Sequence, residues 1–244
     1  MKLLAFETAT EACSVALWCD GEVRERFEVA PRRHAELALP WAEALLAEAG
    51  VARSQLDAIA VGRGPGAFTG VRLAVAIAQG IGLALDRPVL PVSTLAALAM
   101  QADADGENIL AAIDARMGEV YFGTYRRSGD DMSPLWNDQL SLVEGVAGPD
   151  GIGLPASAAG RWIGVGTGFA AAGGLIQKKF ADVLLSCDPA ALPHAADVAR
   201  LAANAWARGE AIAPELVEPA YLRDRVALTS LQQQAARAQR DEKK

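Results

Sequence analysis

Residues 2–7, Lys-Leu-Leu-Ala-Phe-Glu, form a short apolar run that reads as a central strand. Two further strand-like runs follow, at 12–19 and 22–29, divided by Asp20-Gly21. That dipeptide accepts the left-handed backbone of a tight hairpin turn. The third run sets Val23, Phe27 and Val29 against Glu25 in an imperfect alternation, which suits an edge strand. The chain therefore opens as a three-stranded meander. A helix is predicted over 34–49, stopped by Gly50, which can take the left-handed conformation that ends helices. A strand at 57–62, a Gly/Pro turn at 63–67, a helix over 68–85 and a strand at 88–92 come next, then a short helix capped by Ser93 and reaching to about Gln101.

The two longer helices carry more apolar surface than one sheet can cover. In 34–49, Leu37, Trp41, Ala44 and Leu45 form one stripe, and Leu39, Ala42, Leu46 and Ala49 another. In 68–85 only Thr69, Arg72 and Gln79 are polar, so that helix needs cover on both sides. Ala74, Ala78 and Gly82 recur every four residues and allow a neighbouring backbone to come close.

The first pattern, βββαβαβα, closes at 104, and 102–106 (Ala-Asp-Ala-Asp-Gly) reads as a linker. Strand-like runs resume at 108–114 and 119–125, with a turn over 126–131. A Gly/Pro/Ala-rich stretch at 145–160 reads as surface loop, 161–166 as a buried strand, 169–179 and 194–208 as helices, and 219–223 as extended chain. The expected organisation is an N-terminal lobe (1–104), a C-terminal lobe (105–223) and a partly flexible tail (224–244) whose composition is helix-forming but poor in large apolar side chains.

Composition narrows the choices. The chain has 244 residues, 52% hydrophobic and 22% charged, and a net charge of −7. An acidic chain gains little from counterion release on a polyanion, so binding of RNA or DNA on its own is disfavoured, although a local basic patch is not. Three cysteines without a CxxC pair, Cys13, Cys19 and Cys187, fit a reducing compartment better than a disulfide scaffold or zinc ribbon. The first residues meet a carboxylate at Glu7 and lack the pattern of a signal peptide. No uncharged stretch of about 18 residues reads as a membrane span. The expectation is a cytoplasmic protein with no membrane contact.

Candidate chemistry is sparse. Gly62-x-Gly64-x-Gly66 lies between a strand and a helix, where backbone amides can hold an anion. No Gly-Lys-Ser/Thr follows it, so the favoured reading is a tight turn in which Pro65 sets the helix entry. Cys13 and Ser14 are nucleophile types, but no Gly-x-Ser-x-Gly elbow surrounds Ser14, and both read as inert strand residues. The two histidines, His34 and His194, stand 160 positions apart, which excludes a His-rich metal site; no metal and no resident cofactor are expected. His34 reads either as a surface residue at a helix start or as an interface contact. Asp114-Ala115-Arg116 with Gly118-Glu119 sets acid, base and acid around a turn, either a salt-bridged hairpin or a contact between lobes or with a partner.

The element order, with Phe6-Glu7-Thr8 ending the first strand, resembles the actin/sugar-kinase/Hsp70 ATPase superfamily. Three segments are more specific: Gly64-Pro-Gly66-Ala-Phe68-Thr-Gly-Val71-Arg72, Asp114-Ala-Arg116-Met-Gly-Glu-Val-Tyr121, and Pro219-Ala-Tyr221-Leu-Arg223. Together they are similar to the TsaB (YeaZ) family over the whole chain. The resemblance implies a two-lobed actin-like/RNase H-like α/β fold, each lobe a mixed sheet flanked by helices. It implies a scaffold or activating subunit for N6-threonylcarbamoyladenosine (t6A) at position 37 of tRNAs reading codons that begin with A. The partners implied are the transferase TsaD in a heterodimer and the ATPase TsaE, with a homodimer when alone and tRNA reached only through those partners.

The same resemblance gives Glu7, Thr8, Gly64 and Gly66 as a vestigial nucleotide cleft, with ADP or ATP placed at the partner junction if anywhere. TsaD-like relatives carry a His-x-x-x-His metal pair after the fifth strand; here Thr94 and Leu98 stand at those places and cannot ligate. No complete catalytic site is therefore expected. The interface expected against TsaD is a four-helix packing with His34, Leu37, Trp41 and Leu45 from the first helix and Phe68, Val71, Arg72, Val75, Gln79 and Gly82 from the second. The alternatives are a residual ATPase, a glycoprotease-like peptidase, or a stand-alone tRNA-binding protein.

Overall fold

The computed structural model describes residues 1–103, 107–146 and 161–223. The predicted tail, most of the predicted 145–160 loop and part of the 102–106 linker lie outside them. Strands β1 (Lys2–Glu7), β2 (Ala12–Cys19), β3 (Glu22–Val29), β4 (Ala58–Gly62) and β5 (Val89–Val92) form one sheet in the order β3-β2-β1-β4-β5. β1 to β3 are antiparallel neighbours, and β4 and β5 add in parallel. The hairpin turn falls at Asp20 (φ 52°) and Gly21 (φ 102°), where the sequence puts it.

Strands β6 (Asn108–Arg116), β7 (Glu119–Ser128), β8 (Asp131–Leu142), β9 (Trp162–Val165) and β10 (Leu184–Asp188) form the second sheet, order β10-β9-β6-β7-β8. It repeats the first plan: an antiparallel meander extended by two parallel strands. The fold is the expected α/β one, two mixed five-stranded sheets flanked by helices.

Burial on both faces explains the apolar runs. In β1, Leu4 and Phe6 turn to one side and Leu3 and Ala5 to the other, all essentially without solvent contact. On the first side lie α1 (His34–Ala49) and α2 (Phe68–Leu85). On the second lie α3 (Thr94–Ala99) and α5 (Ala195–Ala207), which also meet β6 and β7 of the second sheet. α5 comes late in the chain yet packs on β1, β2, β4 and β5. The outer face of the second sheet is covered near α4 (Ala171–Lys179), where Ala172, Gly173 and Gly174 hold left-handed backbone and interrupt the helix. Ser93 caps α3 by accepting from Ala96 N.

Two strands escape the sequence reading. β8 is an edge strand with Pro134 inside it and two register shifts against β7, so its apolar residues keep no regular alternation. β10 is a short, half-exposed edge strand, and its sequence Leu-Leu-Ser-Cys-Asp carries no alternation to detect.

α2 is, among the described residues, the one helix long and apolar enough to cross a membrane. It is packed against protein instead: Val71, Ala74, Val75, Ala78 and Gly82 form a buried stripe. Along its flank runs a strap, residues 213–223. Pro214 sits on Gly82, Gln79 Nε2 donates to the Val217 carbonyl at 3.0 Å, and Ala220 N donates to the Arg63 carbonyl at 2.8 Å. The small residues spaced by four do admit a close neighbour, and that neighbour is the chain's own strap.

Gly80 and Gly82 of α2 should therefore respond oppositely to alanine. A Cβ at Gly82 would lie 2.8 Å from Pro214 Cγ and 2.9 Å from the Arg87 carbonyl oxygen, so Gly82→Ala is expected to lose roughly 1–3 kcal/mol. A Cβ at Gly80 meets nothing within 4 Å, so Gly80→Ala is expected to gain about 0.5–1 kcal/mol from helix propensity. Urea denaturation midpoints of the two variants decide it.

Candidate functional site

The end of β1 is where the resemblance puts a nucleotide cleft. Glu7 is 1% exposed there. Its Oε1 accepts from Ala9 N at 2.7 Å and its Oε2 from Thr94 Oγ1 at 2.9 Å, while Thr94 Oγ1 in turn accepts from Gly64 N at 3.1 Å. Burial raises the Glu7 carboxyl to about 7, against three hydrogen bonds that favour the anion. A Cβ on Gly62 would overlap the Glu7 carboxylate, so the turn is built tightly around this group. Thr94 thus has a structural task, and Leu98 is fully buried in the core.

The glycine-rich turn is filled by the chain's own backbone. Ala67 N donates to the Ala9 carbonyl at 2.7 Å, and Thr8 Oγ1 donates to the Gly70 carbonyl at 2.7 Å. Side chains at Gly66 or Gly70 would run into Ala9 and Thr8. The Gly64-Pro65 peptide is cis. Glu7, Thr8, Gly64 and Gly66 come together as read from the sequence, but as a closed packing contact between β1 and the start of α2.

Open space lies in front of that contact. A cleft of about 610 Å³ is lined by Gly66 to Phe68 and Val71, by Ile113 to Arg116 with Tyr121, and by Ala220 to Arg223, together with residues 9–11, Arg32, His34 and Thr167. The three segments that carry the family resemblance all reach it. Arg116 pairs with Asp114 at 2.9 Å, and Asp114 also accepts from Arg116 N at 2.8 Å, which is the salt-bridged hairpin. Arg223 bonds Glu119 and the Ala115 carbonyl, so the strap ends clamped to the β6–β7 hairpin. Arg72 bonds the Tyr221 hydroxyl and stacks over Phe68, 3.6 Å from the ring centroid. The inter-lobe role of Tyr221 and Arg223 went unassigned in the sequence reading, because only the fold brings 219–223 to the hairpin.

The helical face divides differently from the expectation. Leu45, Val71, Val75 and Gly82 were expected as interface anchors, and the structure overturns that. The three side chains are 2–4% exposed: Leu45 and Val75 pack with Phe6, Ile59 and Val61 against the first sheet, and Val71 lies against Gly64 at the wall of the cleft. An all-apolar helix gives no phase, so its inward stripe was mistaken for its outward one. Leu37 and Trp41 are half-buried at the edge of the same core. His34 is half-buried and its Nε2 faces the Thr10 and Ala12 carbonyls at 3.0 and 3.1 Å, which ties α1 to the β1–β2 loop. Phe68 and Arg72 are exposed, and Gln79 is held by the strap. The outward stripe of α2 is Ala76, Gly80 and Leu83, with the half-buried Leu73 at its edge and Leu83 61% exposed; Leu39 of α1 stands out at 48%.

Neither nucleophile candidate is activated. Burial pushes the Cys13 thiol up to about 11, so it stays protonated at neutral pH. Ser14 Oγ donates to Glu25 Oε1 at 2.6 Å and accepts from Ala195 N at 2.9 Å. His194 Nδ1 contacts the other Glu25 oxygen at 2.9 Å and stacks on Phe27, so no imidazole faces the serine as a base. The Ser14–Glu25–His194 group fastens α5 to the first sheet.

Three comparisons bear on this geometry. The family model for TsaD, tRNA N6-adenosine threonylcarbamoyltransferase, matches residues 28–231. The chain is 41% identical to the tRNA threonylcarbamoyladenosine biosynthesis protein TsaB of Escherichia coli (strain K12), over 95% of this chain and 98% of that one. It is 40% identical to the TsaB of Haemophilus influenzae, over 93% and 95% of the two chains. Among solved structures, it resembles a Pseudomonas aeruginosa protein described as similar to peptidase YEAZ, with TM-score 0.81, 46% identity and coverage of 91% of this chain and 99% of that one. A second structure, YeaZ from Pseudomonas aeruginosa, matches with TM-score 0.80 and 46% identity over the same shares of the two chains.

Glu7 carries a pH signature. Its folded value of about 7 lies above its ordinary 4.5, so between these values the folded chain binds more protons than the unfolded chain. Stability from this group therefore falls as pH rises from about 4.5 to 7 and is level above, by at most about 3 kcal/mol. Glu7→Gln is expected to lack that component. Urea denaturation of both proteins from pH 5 to 8.5 checks it: a stability difference that does not change with pH would contradict the burial argument.

Proposed function

The chain belongs to the TsaB family of tRNA threonylcarbamoyladenosine biosynthesis proteins, and from that premise we propose that it is a non-catalytic scaffold that docks on the transferase TsaD, with TsaE joining the assembly. The product is t6A at position 37 of tRNAs that read codons beginning with A. The observation that carries the docking is the outward stripe of α2, in which the half-buried Leu73 and the exposed Ala76, Gly80 and Leu83 follow a three-four-three spacing, while α1 on the same face of the sheet exposes Leu39. Ala76 and Gly80 leave room for a second helix to approach closely, and Leu73, Leu83 and Phe68 supply apolar anchors around them.

The match of this chain to the transferase family model covers both helices, which supports an equivalent helix pair on the partner and a four-helix contact. Alone, the same face would close a two-fold homodimer. Docking activates only if it favours one arrangement of TsaD over another. Against an ATPase or peptidase role stand the filled glycine turn, the buried Glu7 and the serine bonded to a carboxylate.

Leu83→Glu is expected to leave the chain folded and to abolish co-elution with TsaD in size-exclusion light scattering. Val75→Glu is expected instead to unfold the chain, because it buries an unpaired charge at a cost of several kcal/mol. Retained co-elution of a folded Leu83→Glu protein would move the interface elsewhere. Calorimetric titration with ATP and magnesium should detect no site tighter than about 10 μM on the chain alone.

A further inference from the structure

We propose that the mouth of the inter-lobe cleft is a contact site for unpaired nucleotides of RNA, used when this chain is docked on TsaD. The proposal rests on the reading of the chain as part of a tRNA-modifying assembly and adds a direct RNA contact to it.

The cleft carries a slight excess of cations in an acidic protein. Arg32, Arg116 and Arg223 line it and Arg72 stands at its mouth, against Glu11, Asp114 (paired with Arg116) and Glu119 (paired with Arg223), while the whole chain carries −7. Arg32 and Arg116 come from opposite sides of the cleft, and Arg116 keeps 78% of its side chain in solvent. Both hold left-handed backbone, at φ 70° and 66°, as does Met117 at 58° beside Arg116. Such conformations cost of order 1–3 kcal/mol each in non-glycine residues and persist only where the surrounding structure over-determines them, so both arginines are held in fixed turns. At the same mouth stand two half-exposed rings, Phe68 and Tyr221, with the Arg72 guanidinium between them.

Spaced arginines with exposed ring faces are the chemistry that holds a single strand: cations track single phosphodiester charges and bases stack on the rings. A free mononucleotide is served less well. Its clustered phosphates need convergent backbone donors, and the glycine turn behind the cleft is filled by Ala9 and Thr8. Because the chain as a whole is acidic, the contact is expected to be weak alone and to add to what the partner supplies.

The test titrates a fluorescent anticodon stem-loop RNA with the TsaD complex over a series of salt concentrations. The Arg32→Ala/Arg116→Ala double variant is expected to weaken RNA binding about tenfold and to lower the salt slope by about 2, with TsaD co-elution unchanged. Arg116→Lys, which disturbs the hairpin similarly but keeps the charge, is expected to hold the parent slope. Equal affinity and slope for parent and double variant, with the complex intact, would overturn the proposal. So would AMP binding that needs both arginines while RNA binding does not. The titration is repeated at low salt on the chain alone, so that a chain failing to pair with TsaD, which would sink the docking reading, still tests the cleft. There again the double variant should bind RNA more weakly, and equal behaviour, including no binding by either, rejects the RNA site.

Discussion

Gly66 and Gly70 let the first turn of α2 lie directly on the backbone of Thr8 and Ala9, at the end of the central strand β1. No other residue fits at either position, because any Cβ would enter the carbonyl it faces. This contact fixes the start of α2 relative to the sheet, and the rest of the helix follows as a rigid body. Val71, Ala74, Val75 and Ala78 are then committed to the core, and Leu73, Ala76, Gly80 and Leu83 to the outside. The same contact occupies the space in which a glycine turn of another kind cradles phosphates, and it sets the helix face that the proposed docking uses.

The polar groups behind that contact reinforce it. Glu7, Thr94 and the Gly64 amide form one chain of hydrogen bonds linking the end of β1, the turn before α2 and the start of α3. A buried carboxyl held near neutrality is costly, and it is tolerated because each oxygen has a donor. On the other side of the first sheet, the Ser14–Glu25–His194 group pins α5, so both faces of the first sheet are fastened by side-chain networks as well as by apolar packing. The strap completes the arrangement by joining α2 to the β6–β7 hairpin through Tyr221 and Arg223. α2 and the tip of the second sheet are therefore mechanically connected.

The first lobe was legible because its signals are local. Asp20-Gly21 marks a hairpin, Gly50 a helix stop and Ser93 a cap, and the structure uses each that way. The second lobe was legible only where strands are central: β6, β7 and β9 have buried runs, whereas β8 and β10 are edges whose half-exposed residues lose the alternation. The site was half legible. Sequence alone indicated that α1 and α2 have surplus apolar surface, but not which stripe would face out. Leu45 and Val75 are as apolar as Leu39 and Leu83, and only the sheet decides between them. A strap whose Pro214, 132 residues after Gly82, packs on it leaves no local signal at all.

The short third helix links the turn before α2 to the end of β1. Where the family resemblance implies metal ligands on the short third helix of a catalytic relative, this chain has Thr94 and Leu98. Leu98 goes into the core, and Thr94 bonds both Glu7 and Gly64. Thr94, turned inward, ties the end of β1 to the turn before α2. On the proposed scaffold reading, that tie stiffens the helix face offered to a partner, and stiffness matters there because a partner can be biased only by a surface that does not itself yield.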